Sequence, residues 1–350
     1  MNAARPVVLV TGISGNLGIR LLPMLTHDFD VVGVDMHPPR SGTLARFEAI
    51  DLGKESSCQL LVDLLRETGA FAVVHLAFVI DPMRTGVTDV DAMWRINVAG
   101  TARVMEAIAE INRLQGGIRK FVFPSSVSAY GPETPPFVGE DFPLGAHTLP
   151  YAIHKKESDE VVRYRADTLG ECNTYILRPH IYTGATVQNY LVGVLRGTPL
   201  GKGKLGESLR QRNVRLPLLI PFGKLAGEKL FQFVHVDDVA RLLAYIVRIA
   251  KDVPGVDVLN VAGRGEAVTI EQAAQIANAK IIRAPAWVAT AILKLLWKTG
   301  VSSIPPAALP YMIGSYTMDT KRLKKFLGRD YEKVIQYTIK DALADSFKEA

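Results

Sequence analysis

The 350 residues are 48% hydrophobic and 22% charged, with a net charge of +6. That is apolar mass for one large or two modest cores, and the balance excludes a disordered chain. No stretch of about 18 apolar residues is free of charge, which argues against a spanning helix, and Cys58 and Cys172 have no CxxC spacing, which argues against zinc and for a reduced compartment.

In chain order, the opening MNAARPVVLVTG lacks the apolar stretch and cleavage site of a secretory leader, so a cytoplasmic protein is expected. PVVLV reads as a buried strand, TGISGNLG as a turn, and NLGIRLLPMLT as a helix with Leu17, Leu21, Leu22 and Leu25 on one face. DVVGVD is a second strand ending at Asp35, and RFEAID a third ending at Asp51. SCQLLVDLLRETG is helical, FAVVHLAF extended, DAMWRINVAGTARVMEAIAEINR a long helix and KFVFPSS a strand. Alternation of this kind predicts an α/β fold, a doubly wound parallel sheet with helices on both faces. Ligands bind such sheets outside the carboxyl ends of the strands.

Gly12, Gly15 and Gly18 therefore sit between a strand and a helix. Glycine there permits a left-handed backbone and a close approach to a ligand. A helix N-terminus adds N–H groups and partial positive charge, which suit a pyrophosphate. The alternative is a tight turn with no ligand. Asp35, 17 positions after Gly18, stands where a nucleotide-binding βαβ unit carries its ribose carboxylate, which favours NAD over NADP.

YAIHK opens a further helix and puts Tyr151 and Lys155 on one face, where an ammonium can lower a phenol's pKa and make it an acid/base. Taken alone the pair is also an ordinary surface pair. His75 in an apolar strand reads as packed rather than catalytic, and Asp237 and Asp238 read as helix caps. The Pro-rich stretch 131–145 reads as a loop or flap, and AWVATAILKLLWK (286–298) as a buried or dimer-contacting helix. An interfacial membrane contact of that helix stays open.

In combination, TGISGNLG, Asp35, Asp51-Leu52, HLA (75–77), Asn97, SSVSAYG (125–131) and YAIHK resemble the extended short-chain dehydrogenases/reductases, the NAD-dependent epimerase/dehydratase family. LRPHIYTG (177–184), FVHVDDVA (233–240), LNVAG (259–263) and YTMDTKRLKKFLG (316–328) extend the resemblance over nearly the whole chain. It implies a Rossmann domain over 1–179, regained at about 232–264, and a substrate region from 180–231 and 265–350. It implies that Gly12, Ile13, Ser14, Gly15, Asn16, Leu17 and Gly18 hold the pyrophosphate of NAD, Asp35 the ribose, and Asp51 and Leu52 the adenine. Ala77, Asn97, Ser125 and Pro179 would line the cofactor, with Phe78 standing where the family has a second alanine, and Asn97 equally readable as a bracing amide. Tyr151 would be the acid/base, Lys155 would bind the nicotinamide ribose and depress the tyrosine pKa, and Ser126 would hold the reacting oxygen.

That set implies hydride transfer at a secondary alcohol. Val127 and Ser128 stand where dehydratases and decarboxylases carry carboxylates, so the pattern is nearer to UDP-hexose 4-epimerases. His180 replaces the asparagine of sugar-nucleotide enzymes, which is nearer to hydroxysteroid- and dihydroflavonol-type reductases and leaves an apolar alcohol as the alternative substrate. A non-catalytic NAD-binding module is a third reading. Residues 196–229 hold eight basic and two acidic side chains, and an extended chain there would turn Arg210 and Arg212 the same way. With Arg215, Ser128 and His180 they are the candidate contacts to an anionic sugar nucleotide, Arg212 foremost. The expected partners are a small-molecule substrate and a second copy in a homodimer, without nucleic acid.

Overall fold

Unbroken apolar, β-branched runs suit strands covered on both faces, and Val7–Thr11 forms β1 at the centre of a seven-stranded sheet. The computed structural model describes residues 5–80, 89–250, 254–314 and 317–348; the first four residues, Tyr316 and the side chain of Lys224 lie outside the described residues. In chain order the strands are β1, β2 (Asp30–Asp35), β3 (Arg46–Ala49), β4 (Ala72–His75), β5 (Lys120–Pro124), β6 (Asn173–Pro179), β7 (Ile181–Thr183), β8 (Leu218–Pro221), β9 (Leu230–Phe231), β10 (Phe233–His235), β11 (Val256–Val261), β12 (Val268–Thr269) and β13 (Ile281–Ala284). The large sheet runs β11-β6-β5-β4-β1-β2-β3 with every pairing parallel. Its order reverses between β1 and β4, and there the chain leaves the two strand ends in opposite directions, opening the crevice that binds ligands in such sheets. Asp51, expected to end its strand, lies two residues beyond β3, and Ala77 and Ser125 lie two and one residues beyond β4 and β5.

The helices used below are α1 (Asn16–Leu25), α2 (Ser57–Thr68), α3 (Gly100–Leu114), α4 (Pro150–Arg165), α5 (Tyr190–Arg196), α6 (Lys204–Gln211), α7 (Val236–Arg248), α8 (Ile270–Ile276) and α9 (Ala286–Lys298). Side chains alternate across β1, so Val8 and Val10 meet Leu21 and Leu25 of α1 and Leu242 and Ile246 of α7. Leu9 faces the opposite core, with Leu61 of α2, Ile108 of α3 and Val162 of α4. The long helix expected around Asn97 is interrupted: a turn of α-helix at Val90–Trp94 widens into a π-type turn at Arg95–Ala99 before α3 begins.

A smaller core built from Leu195, Ile220, Phe231, Phe233, Ile270 and Ala273 lies in the substrate region, served by the pairs β7–β10, β8–β13 and β9–β12. Three expectations change here. Leu323, Leu327, Val334 and Ile335, expected in the substrate region, pack on the large sheet with α1 and α7. The cap of α7 is His235, whose Nδ1 accepts from Asp237 N; Asp237 pairs with Arg20 at 2.7 Å, and Asp238 accepts from the backbone N–H groups of Gln336 and Tyr337. α9 buries only Ala289, and Trp287 is 76% exposed. The Pro-rich stretch is anchored rather than free, since Val138 N donates to Thr317 O and Gly145 N to Ala129 O. Among the described residues no helix is long and apolar enough to cross a membrane.

His75 is packed as expected. Its Nδ1 lies 2.7 Å from Thr11 Oγ1 and its Nε2 3.0 Å from Thr101 Oγ1. Burial, with Lys155 nearby, pushes the imidazole down to about 3. The unfolded chain takes up that proton near pH 6.5 and the folded chain does not, so this contribution to stability is full above about 6.5 and is lost towards about 3. Denaturant titrations between these limits should show the unfolding free energy of the wild type falling by about 1.4 kcal/mol more per pH unit than that of His75→Gln. Equal slopes would remove His75 from the acid sensitivity.

Candidate functional site

The glycine turn is closed by contact. Gly12 has φ of 69°, and a Cβ there would lie 2.4 Å from Ala77 N; a Cβ on Gly18 would lie 2.4 Å from Ile13 O. At Gly15 a Cβ would meet only Gly12 O within 4 Å, so the side of the turn facing α1's N-terminus is open. α1 starts without a side-chain cap and without an acidic residue in its first turn. Its N-terminal N–H groups and positive dipole end are thus left for an anion. Asp35 closes the far side of the turn: Oδ2 accepts from Ser14 N at 3.0 Å and Oδ1 from Met36 N at 2.7 Å. A carboxylate has about four acceptor sites, so room remains for ribose hydroxyls. Asp51 accepts from Gly53 N at 2.9 Å, and Leu52 is buried beneath it.

Tyr151 and Lys155 come together through the start of α4. Pro150 occupies the first turn, where its missing N–H costs nothing and its fixed φ suits a helix, so Tyr151 projects from the helix's end. Ser126 caps the tight turn Val127–Tyr130, and its Oγ accepts from Ser128 N at 3.2 Å and Ser128 Oγ at 2.8 Å. The Tyr151 phenol lies close enough to the Ser126 and Ser128 hydroxyls for both to favour its ionised form. Here the sequence expectation is corrected. Burial holds the Tyr151 phenol above its ordinary value, and the two serines offset only part of that. Lys155 does not depress it, because Lys155 Nζ donates to Pro124 O at 2.6 Å and sits 3.5 Å from the centroid of the Phe78 ring. Burial, opposed by Asp159, pushes the Lys155 ammonium down to about 7.

Phe78, known from the sequence only as a departure from the family, is thus a wall of the site: it covers Lys155 and meets Tyr151 edge-on at 6.0 Å. Asn97, expected as a cofactor contact or a brace, is fully buried; Oδ1 accepts from Val79 N at 2.6 Å and Nδ2 donates to Val79 O at 3.0 Å. Ser125 Oγ is buried with no hydrogen-bond partner among the described residues, and Pro179 ends β6 beside Val261. His180 is buried, its Nδ1 accepting from Ile181 N at 2.9 Å. Tyr182 of β7 lies close enough to Tyr151 that burial and the second phenol together hold it well above its usual range.

The arginines do not gather as expected. Residues 204–211 are helical rather than extended, so Arg210, at the end of α6, and Arg212 just beyond it do not share a face. Arg210 donates to the carbonyls of Pro199 and Gly201 at 2.7 and 2.6 Å, while Arg212 and Arg215 are exposed.

The sequence reading missed a buried pair that supports the site. Arg178 and Asp159 are both fully buried and joined by two 2.8 Å hydrogen bonds; Arg178 Nη1 also donates to Tyr130 OH at 2.8 Å and Glu140 O at 2.7 Å. Burial pulls the guanidinium's pKa down, but Asp159 outweighs it and keeps Arg178 charged. Tyr151, Lys155 and Asp159 follow at i, i+4 and i+8, a signal legible in sequence only once the partner on β6 is known.

The family model of the NAD dependent epimerase/dehydratase family matches residues 8–262. The chain belongs to this family. A UDP-glucose 4-epimerase of Azospirillum brasilense is 29% identical over 249 residues, 68% of this chain and 67% of that one. A UDP-glucuronate 4-epimerase of Thermodesulfobacterium geofontis is 25% identical over 287 residues, 77% and 78% of the two chains. Among solved structures, a UDP-glucuronic acid 4-epimerase from Bacillus cereus, in complex with UDP-glucuronic acid and NAD, has a TM-score of 0.64 at 19% identity, covering 97% of this chain and 98% of that one. A UDP-glucose 4-epimerase from Thermotoga maritima, with UDP-glucose, has a TM-score of 0.64 at 18% identity, covering 97% of each chain. At these identities the structures establish a shared fold. The open face of the glycine turn, the uncapped α1 and the unpartnered Ser125 hydroxyl fit the NAD of this epimerase/dehydratase family.

Removing one partner of a buried ion pair leaves the other charge unpaired, at about 3–5 kcal/mol. Asp159→Ala should therefore lower unfolding stability by about that amount, measured by denaturant titration. A loss below about 1 kcal/mol, the range of surface pairs, would mean the pair does not hold α4 to β6.

Proposed function

We propose that this protein epimerises a sugar nucleotide by transient oxidation of a secondary alcohol, with Tyr151 as acid/base. The observation that carries the reading is the buried Tyr151 phenol beside the Ser126 and Ser128 hydroxyls, with Lys155 one helical turn away, in a chain of an NAD-dependent family. The glycine turn 12–18 would take the pyrophosphate, Asp35 the adenosine ribose, Asp51 and Leu52 the adenine surroundings, and Ala77, Ser125 and Pro179 the nicotinamide end. Bound NAD would supply the acceptor, and then the donor, of a hydride.

The chain's own groups handle the proton. Tyr151 Oη accepts the proton of the substrate hydroxyl while Ser126 Oγ, turned from Ser128, donates to the oxygen that becomes a carbonyl. The same phenol returns the proton once the ketone has presented its other face. Burial that raises the phenol pKa opposes the first step, so positive charge near Tyr151 is required, and Lys155 is the side chain that brings it. Its ammonium can reach a ribose only if the Phe78 ring gives way, since that ring now covers it. Val127 and Ser128 offer no carboxylate for elimination or decarboxylation. The similarity to UDP-glucose and UDP-glucuronate 4-epimerases supports a nucleoside diphosphate sugar as substrate.

Tyr151→Phe should lower kcat by about 100-fold or more, the usual worth of an acid/base, with NAD affinity nearly unchanged by fluorescence titration. Near wild-type turnover would remove Tyr151 from the reaction. Of the three arginines, Arg212 and Arg215 keep exposed side chains. Arg212→Ala should raise KM for UDP-glucose or UDP-glucuronate and leave NAD affinity alone. Absence of both binding and turnover with UDP-, GDP- and dTDP-sugars would overturn the sugar-nucleotide reading in favour of an alcohol dehydrogenase.

A further inference from the structure

The substrate region contains a cavity of about 510 Å³ bounded by α5, β8, α9 and the segment 301–312. Its volume falls in the range of about 300–1,000 Å³ typical of small-molecule sites. Leu191, Leu200, Leu218, Phe231, Leu296 and Met312 are characteristic of its wall, and among the described residues Lys229 is the one charged residue lining it. None of the residues placed above at the glycine turn or around Tyr151 lines it. We infer that this cavity binds a hydrocarbon chain bearing a single anionic head group, of the fatty-acid kind, with the chain among the leucines and the head at Lys229. The inference does not rest on the reaction proposed above.

The wall chemistry selects this ligand class. A diphosphate needs several cationic or N–H donors to replace its hydration. Among the described residues this wall offers one lysine, and Arg210 nearby is spent on the carbonyls of Pro199 and Gly201. Apolar surface, by contrast, is favoured by contact with methylenes in proportion to the area covered. No ion pair claims Lys229 among the described residues. The rim is apolar as well. Phe222 lines the cavity and is 62% exposed, and α9 turns Leu293 and Leu296 inward while Trp287 and Leu295 face outward. A chain entering from solvent therefore meets hydrocarbon along its path. This also accounts for α9: a helix apolar on two sides is expected where one side lines a cavity. The wall reaches towards the candidate site, because Tyr311, between wall residues Leu309 and Met312, donates to Ser128 O at 3.3 Å.

The test is calorimetric titration of the purified chain, without NAD or nucleotide, with straight-chain fatty acids of increasing length below their micelle concentrations. Affinity should rise about fourfold per added methylene and level off once the cavity is full. Lys229→Gln should weaken the acid and leave the alcohol of equal length unchanged. Leu296→Arg, placing a charge in the cavity, should abolish binding of both. Affinity independent of chain length would overturn the inference. So would undiminished binding by Leu296→Arg, or displacement of the fatty acid by UDP, which would make the cavity a nucleotide site. If Leu296→Arg does not fold, the acid-against-alcohol comparison in Lys229→Gln decides alone: equal loss for both, or loss for neither, rejects the assignment of the head group to Lys229. Failure of the sugar-nucleotide reading would show in turnover and leave these titrations unchanged.

Discussion

A buried guanidinium must be satisfied on every side, and that requirement at Arg178 organises the site. Its donors reach Asp159 on α4, Tyr130 in the serine turn and the Glu140 carbonyl. Tyr130 in turn donates to Asn260 Oδ1 at 2.8 Å, and Asn260 N donates to Glu140 Oε1 at 3.0 Å. One network thus ties β6, β11, α4 and the turn carrying Ser126 and Ser128. Replacing such a pair by apolar residues is often neutral for stability, but no apolar group could fix the rotation of α4 about its axis as two parallel hydrogen bonds do. That rotation decides where Tyr151 and Lys155 point.

Electrostatics around Lys155 follow from the same packing. Its ammonium has a carbonyl and two aromatic rings around it, and Asp159, the carboxylate that favours its charge, is engaged by Arg178. Burial therefore dominates and pulls the ammonium's pKa down to about 7. The pair at i and i+4 is thus not a ready-made phenolate and ammonium. It is two desolvated groups whose charges a bound cofactor must help to set.

How much of this could be read from the sequence depends on the range of the interaction. The glycine turn, Asp35 and Tyr151/Lys155 are local patterns in which a few neighbouring residues carry the whole signal, and the described site brings them to one crevice. The Arg178–Asp159 pair and the cover of Phe78 over Lys155 join distant segments, and no periodicity announces them. His235 displaced the aspartates as the α7 cap because stacking on Tyr337, with ring centroids 3.8 Å apart, holds its ring in reach. Whether α9 is buried within the chain was not legible, because composition reports how apolar a helix is and not what covers it. The pairing of Arg210 with Arg212 assumed an extended chain, whereas 204–211 close one helix that packs its Gly206 on Gly300 and Val301.

The sheet is completed late. Its edge strand β11 pairs with β6 only after the chain has passed through residues 180–255, although β6 and β11 are neighbours. Closing such a long loop before the pairing rewards it is slow. During synthesis, the outer edge of β6 stays bare until most of the substrate region has emerged. An unpaired parallel strand that the finished sheet buries along its whole length is a template for wrong partners. The chain's exposure to aggregation is therefore expected to peak while it is being made, and a substitution that slows folding of 180–255 would lower yield without touching the finished molecule's stability.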